Sequence, residues 1–232
     1  MTTSFWTRLF DLISPRTCGI CGSRLTVNER LLCAPCHVHL PLTHYEQSPL
    51  DNPLARLFWG HFSIERAAAW FFYEPQSATS SMFYDLKYNG MPEVGESLGF
   101  IAARHMADAG FFDGIDAIVP MPITRLRRWK RGYNQSKAIA KGVKEYTSIP
   151  ILDNVVKRTQ FKQSQTTESA WGRMRNVEEA FRLTSPEKIA NKHILLIDDI
   201  ITTGATVTAC GRELDKAEGV RVSVMAIGRT KS

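Results

Sequence analysis

His193-Ile194-Leu195-Leu196-Ile197-Asp198-Asp199-Ile200-Ile201-Thr202-Thr203-Gly204-Ala205-Thr206-Val207 decides how this chain is read. Ile194 to Ile197 are unbroken apolar residues, as in a parallel strand covered on both faces. Two adjacent carboxylates follow where strand should meet loop, the ligand-bearing edge of an open α/β sheet. The turn Thr202 to Thr206 has little side-chain bulk, so its backbone N–H groups can approach a phosphate closely. A helix opening there adds free N–H donors and a positive dipole end, and three threonine hydroxyls add more donors. Carboxylates beside such a turn can accept hydrogen bonds from ribose hydroxyls or help to hold a hard cation. Ordinary helix capping is the plain alternative, but the whole string is far rarer than its parts. The chain has no GxxxxGK[ST] element, which argues against a Walker-type nucleotide triphosphatase.

This string resembles the phosphoribosyl pyrophosphate (PRPP) signature of type I phosphoribosyltransferases. The resemblance implies that Asp198 and Asp199 act as the catalytic pair on the ribose hydroxyls. It implies that Thr202, Thr203, Gly204, Ala205 and Thr206 hold the 5-phosphate, and that magnesium accompanies PRPP.

The 232 residues allow one sizeable core plus a small appendage. A 44% hydrophobic and 22% charged composition is ordinary for a soluble protein. No apolar run approaches the roughly eighteen residues of a membrane span. Phe5, Trp6, Leu9, Phe10, Leu12 and Ile13, interrupted by Arg8 and Asp11, predict a short amphipathic helix ended by Pro15 rather than a signal peptide. A cytoplasmic location is expected. The net charge of +6 suits phosphate ligands or nucleic acid and proves neither.

Cys18-x2-Cys21 and Cys33-x2-Cys36 form the second signal. Each pair turns two thiolates toward one point, and two pairs complete a tetrahedron. Zinc favours such a closed four-sulfur set in a structural role. Two disulfides would need an oxidising compartment, and nothing directs export. His37 and His39 read as surface residues, and Cys210 as a packed core residue.

A four-cysteine knuckle ahead of a phosphoribosyltransferase-like region resembles the ComF family, whose members are linked to DNA uptake in natural transformation. Leu86-Lys87-Tyr88-Asn89-Gly90 is similar to the family's LKYxG segment. Pro120-Met121-Pro122 through Arg128, then Arg131-Gly132-Tyr133-Asn134-Gln135, is similar to its PxP…RxxxRGFNQ segment, with Tyr133 where Phe is usual. Arg158, Gln165, Arg173 and Asn176 resemble its spaced R…Q…R…N region.

Along the chain, residues 41 to 62 read as a linker with a short helical piece. Strands are expected at Ala67–Tyr73, Ile115–Val119, within Ile149–Val156, from 194, and at Val220–Ile227. Helices are expected at Ser77–Tyr88, Ser97–Ala109, Asn134–Tyr146 and from the phosphate turn to about Lys216. His105 lies on the apolar face of the second helix and reads as a packing residue. Alternating strands and helices imply a parallel sheet with right-handed crossovers.

Arg125, Arg127, Arg128, Lys130 and Arg131 put five charges into seven residues, in a loop expected to leave the sheet beside Asp198. Three roles stay open: contact with pyrophosphate or another substrate group, contact with a nucleic-acid backbone, or plain solvation. Trp129 could stack on a base or simply pack. The polar stretch 160 to 176 reads as a long loop, either a lid that brings Arg158 and Arg173 to a leaving pyrophosphate or a surface loop.

The expected fold class is therefore α/β: a type I phosphoribosyltransferase-like parallel sheet flanked by helices at 60–232, with a small N-terminal helix and zinc-binding module at 1–45. The expected ligand is PRPP or a related ribose phosphate with magnesium, bound through Asp198, Asp199 and Thr202–Thr206 with Arg125, Arg128, Arg131, Arg158 and Arg173. If the chain is an enzyme, it transfers the pentosyl group from PRPP. The alternatives are a non-catalytic module for single-stranded DNA and a PRPP sensor, either working with other competence proteins.

Overall fold

A computed structural model describes residues 15–159 and 180–231. The N-terminal amphipathic stretch, the 160 to 176 loop and Arg173 lie outside the described residues. In chain order the elements are α1 (Ala34–Val38), β1 (Ile64–Tyr73), α2 (Ser80–Tyr88), α3 (Pro92–Ala107), β2 (Ala117–Pro120), α4 (Arg125–Arg131), α5 (Gln135–Thr147), β3 (Val156–Arg158), β4 (Phe181–Leu183), β5 (His193–Ile201), α6 (Ala205–Leu214) and β6 (Arg221–Thr230). β1, β6, β5 and β2 lie side by side in that order, and every pairing is parallel. β3 and β4 form a separate antiparallel pair. Among the described residues, no helix is long and apolar enough to cross a membrane.

Alternation along β5 divides the core. Leu195 and Ile197 join Trp70, Phe83, Leu98, Ile139 and Met225 on one face. Ile194 and Leu196 join Phe58, Val207, Leu214 and Val224 on the other. All four β5 residues are fully hidden, so each contributes about 1.5–3 kcal/mol of apolar burial. This explains why their sequence shows no polar alternation: both faces are covered. The expected parallel sheet flanked by helices, with a four-cysteine module at the N-terminal end, is what the chain forms.

α3 and α5 approach closely because glycines face the contact. A Cβ on Gly99 would lie 2.0 Å from the Ile139 carbonyl oxygen, and one on Gly142 1.9 Å from that of Glu96. No larger residue fits either position.

Several boundaries differ from expectation. α3 begins at Pro92, not Ser97, because proline suits the first helical turn, where no N–H partner is needed. The strand expected within Ile149–Val156 shrinks to a bridge between Ile151 and Ile118, with β3 opening only at Val156. Residues 41 to 62 are more than a linker. Leu54, Ala55 and Phe58 are buried, and two single 3-10 turns, Tyr45–Gln47 and Ala55–Leu57, shape the segment.

The cysteine module shares the first core. Cys18, Leu25, Leu31, Leu32, Cys33 and Leu40 cluster with Trp70, Met82 and Phe83. Ser81 Oγ donates to the Gly19 carbonyl across this seam at 2.6 Å.

Candidate ribose-phosphate site and cysteine cluster

Because the sheet is parallel, the C-terminal ends of β5 and β2 open on one edge. The basic helix α4 and the turn after β5 therefore rise from the same side. Asp198 lines a small cavity of about 40 Å³ with Ile200 to Val207, including all of Thr202 to Thr206. That volume suits one small ligand group rather than a whole nucleotide. Thr202, Thr203 and Ala205 are exposed, Thr206 is half-buried and Gly204 is buried, so among the described residues the threonine face of the cradle is open.

The cradle is built from below. Gly204 has φ 79, and a Cβ there would meet Phe58 at 3.1 Å. The left-handed backbone calls for glycine, and the ring beneath leaves a Cβ little room. Arg229 of β6 is buried and donates to the Ile201 carbonyl at 3.3 Å and to that of Thr202. It fixes the point where strand becomes turn.

The acidic pair sits inside the strand rather than at its end: β5 continues through Asp198 and Asp199 to Ile201. The pairing Ile200↔Gly228 holds that extension on β6. Asp198 Oδ1 accepts from Ser136 Oγ at 3.2 Å and from the Asp199 N–H at 2.9 Å. Burial, and then the neighbouring Asp199 charge, push its carboxyl up to about 7. Asp199 points elsewhere: Oδ2 pairs with Lys87 Nζ at 3.0 Å, with both side chains mostly hidden.

Lys87 is a site residue that sequence reasoning quoted but gave no role. Next to it, Tyr133 donates its hydroxyl to the Leu86 carbonyl, tying the two motif segments together. Burial raises the Tyr133 phenol to about 12. The hydroxyl that distinguishes Tyr133 from the usual Phe thus has a partner. Asn134 caps α5 through Ser136 N–H and donates to the Met121 carbonyl. That cap sets Ser136 beside Asp198.

The basic stretch is a helix, not a loop. Thr124 accepts from the Arg127 N–H as N-cap, and Gly132 at φ 78 ends it. Among the described residues, no carboxylate pairs with Arg125, Arg127, Arg128 or Lys130. Arg125, Arg128 and Arg158 line one cavity of about 260 Å³ with Pro120, Asn134 and Lys137. Burial lowers the Arg158 pKa, Arg127 lowers it further, and Asp198 opposes both. Arg131 is not in that cavity: it donates to Gln135 Oε1 at 2.9 Å and lies over the Tyr88 ring. Trp129 does not pack; it is 81% exposed.

Cys18, Cys21, Cys33 and Cys36 converge, with all four sulfurs within 4.8 Å of one another. Cys21 and Cys33 sulfurs are 3.6 Å apart. Corners of a sulfur tetrahedron with Zn–S bonds of about 2.3 Å lie about 3.8 Å apart, so the set could hold a structural zinc. All four cysteines are free of disulfides. The turn of Ser23 brings the Cys21 thiol down to about 6, while burial and its sulfur neighbours push Cys36 up. Such unlike thiols in contact all become thiolates only beside a cation. Cys210 is buried in α6, and burial raises its thiol, as for a core residue.

No protein-family model matches the chain. It is 29% identical over 221 residues to "DNA utilization protein YhgH" of Escherichia coli K12, covering 92% of this chain and 90% of that protein. It is 34% identical over 115 residues to "Competence protein F" of Haemophilus influenzae, covering 49% of this chain and 50% of that one. A crystal structure of adenine phosphoribosyltransferase from Leishmania tarentolae overlaps 77% of this chain and 88% of its own, with a TM-score of 0.37 and 13% identity. The two sequence relatives bear out the resemblance to the ComF family.

Proposed function

We propose that this homologue of DNA utilization protein YhgH and Competence protein F is a phosphoribosyltransferase-like protein that binds PRPP with magnesium and acts in DNA uptake from the cytoplasmic side. The observation that carries the reading is the cavity shared by Asp198 and the Thr202–Thr206 turn at the start of α6, whose threonines are open among the described residues. Thr202 to Thr206 would hold the 5-phosphate through backbone N–H groups and hydroxyls. Asp198 and Asp199 would take the ribose hydroxyls and the magnesium. Magnesium, when bound, neutralises diphosphate charge. Arg125, Arg128 and Arg158 lie near the same sheet edge, Arg125 and Arg128 without a carboxylate partner among the described residues, and suit the diphosphate, with Arg173 a further candidate. Four cysteines holding zinc would make the N-terminal module, 1–45, a structural cap on the 60–232 domain.

If turnover occurs, a nitrogen nucleophile attacks the anomeric carbon as the bond to the diphosphate oxygen breaks. The chain contributes positioning and charge stabilisation, without a covalent intermediate. Titration calorimetry with PRPP, with and without magnesium, tests the binding claim. Micromolar affinity should vanish in the Asp198→Asn, Asp199→Asn double variant; unchanged affinity would refute it. Pyrophosphate release with one of a panel of bases would add enzymatic activity.

A second reading is favoured by one specific observation. Trp129, Tyr88 and Tyr84 are 81%, 66% and 58% exposed beside five cationic residues of α4. Exposed rings among cations suit single-stranded DNA without turnover. Affinity for an oligonucleotide would then fall steeply with salt, and less steeply in an Arg127→Ala, Arg128→Ala variant.

A further inference from the structure

His44, Glu46 and His105 converge on one point that shares no residue with either site above, and we propose that they form a second, His₂Glu site for a divalent transition metal of the zinc class. Glu46 lies in the 3-10 turn Tyr45–Gln47, and its side chain is 4% exposed. One carboxylate oxygen, Oε1, is 3.2 Å from His105 Nε2 and 3.7 Å from His44 Nδ1. The other, Oε2, is buried with no hydrogen-bond partner among the described residues, and among them His105 Nε2 makes no aligned hydrogen bond despite its short approach. One ligand atom from each residue lies within 4.8 Å of the others.

A buried carboxylate with a bare oxygen is costly unless a cation compensates it. Here the facing groups are imidazole nitrogens, which offer lone pairs when neutral. Two nitrogens and one carboxylate oxygen are a donor set that suits zinc and its neighbours; calcium and magnesium want oxygen alone. His44 is 55% exposed, so a fourth position opens to solvent. Gln47 Nε2 lies 3.5 Å from His44 Nδ1 and is the neighbour a metal would displace. His44 itself is held at φ 58, a left-handed conformation uncommon for a residue with a Cβ. That backbone turns the ring toward His105, with centroids 6.3 Å apart. Bound metal would clip the segment that follows the cysteine module to the last turn of α3.

The test uses the full chain, dialysed against micromolar zinc and then against metal-free buffer, with zinc per chain read by elemental mass spectrometry. The wild type should hold two equivalents. His44→Gly, which suits the left-handed backbone and removes an exposed ligand, should hold one, and so should His105→Leu. Circular dichroism would verify that the His44→Gly variant is folded. With cobalt in place of zinc, the thiolate charge-transfer bands of the four-cysteine site should persist in His44→Gly while part of the d–d absorption is lost. One equivalent in the wild type, or two in the folded His44→Gly variant, would overturn the proposal.

Discussion

Asp198→Asn should stabilise the ligand-free protein while destroying its proposed function. The carboxyl is pushed from 3.8 to about 7, chiefly by burial and then by Asp199. A carboxyl raised in this way ionises first in the unfolded chain. The fold therefore loses stability as pH climbs from 3.8 toward 7 and bears the full cost above that. At about 1.36 kcal/mol per tenfold shift, the cost reaches about 4 kcal/mol at pH 8 and about 1.5 kcal/mol at pH 5. Asp198 is only partly hidden from solvent, so we halve these figures, to about 2 and about 0.8 kcal/mol. An amide oxygen in its place can still accept from Ser136 Oγ and the Asp199 N–H, while the ionisation cost disappears. For a chain of this size, melting should rise by about 4–8 °C at pH 8 and by about 2–3 °C at pH 5. Differential scanning calorimetry at the two pH values measures both. A fall in melting temperature at pH 8, or a gain equal at both pH values, would refute the electrostatic account. A site that destabilises its own fold is what a preformed cation-binding pocket should look like.

Lys87→Met leaves Asp199 with its carboxylate mostly hidden and without its cation. We expect a loss of about 1–3 kcal/mol in urea denaturation; an unchanged midpoint would show that the ion pair does not hold the pocket. Gly142→Ala drives a methyl to 1.9 Å from the Glu96 carbonyl. Separation of α3 from α5 should cost about 3 kcal/mol or more, and wild-type stability would disprove the close approach. Cys33→Ser should cost the full chain the zinc of the four-cysteine site, one equivalent, and loosen the Leu25, Leu31 and Leu32 corner of the core. Retention of a full zinc complement by this variant would rule out the four-sulfur site.

Local features were legible in the sequence wherever one short stretch carried its whole cause. Ile194 to Ile197 announced a strand hidden on both faces, because burial leaves no room for polar alternation. The cysteine spacing announced its own convergence. The end of β5 was harder to read: Asp198 and Asp199 look like a strand's end, and only pairing with Gly228 on β6 carries the strand past them. The helix α4 was missed because five cations in one short run suggest solvation. Yet Thr124 and Gly132 bracketed it with ordinary start and stop signals. Lys87 belongs to a different class of failure. Nothing local directs its ammonium at Asp199. The helix that carries it is tied by the Leu86 carbonyl to Tyr133, 47 positions on from Leu86. Likewise, Phe58 sits in a segment that reads as linker, but its ring underlies Gly204 and crowds any Cβ placed there. Sequence therefore discloses which groups could touch a ligand, while the residues that aim and support them become visible only once distant segments meet. His105 fits the same rule: on its own helix it is one more ring on an apolar face, and Glu46 makes it a candidate ligand.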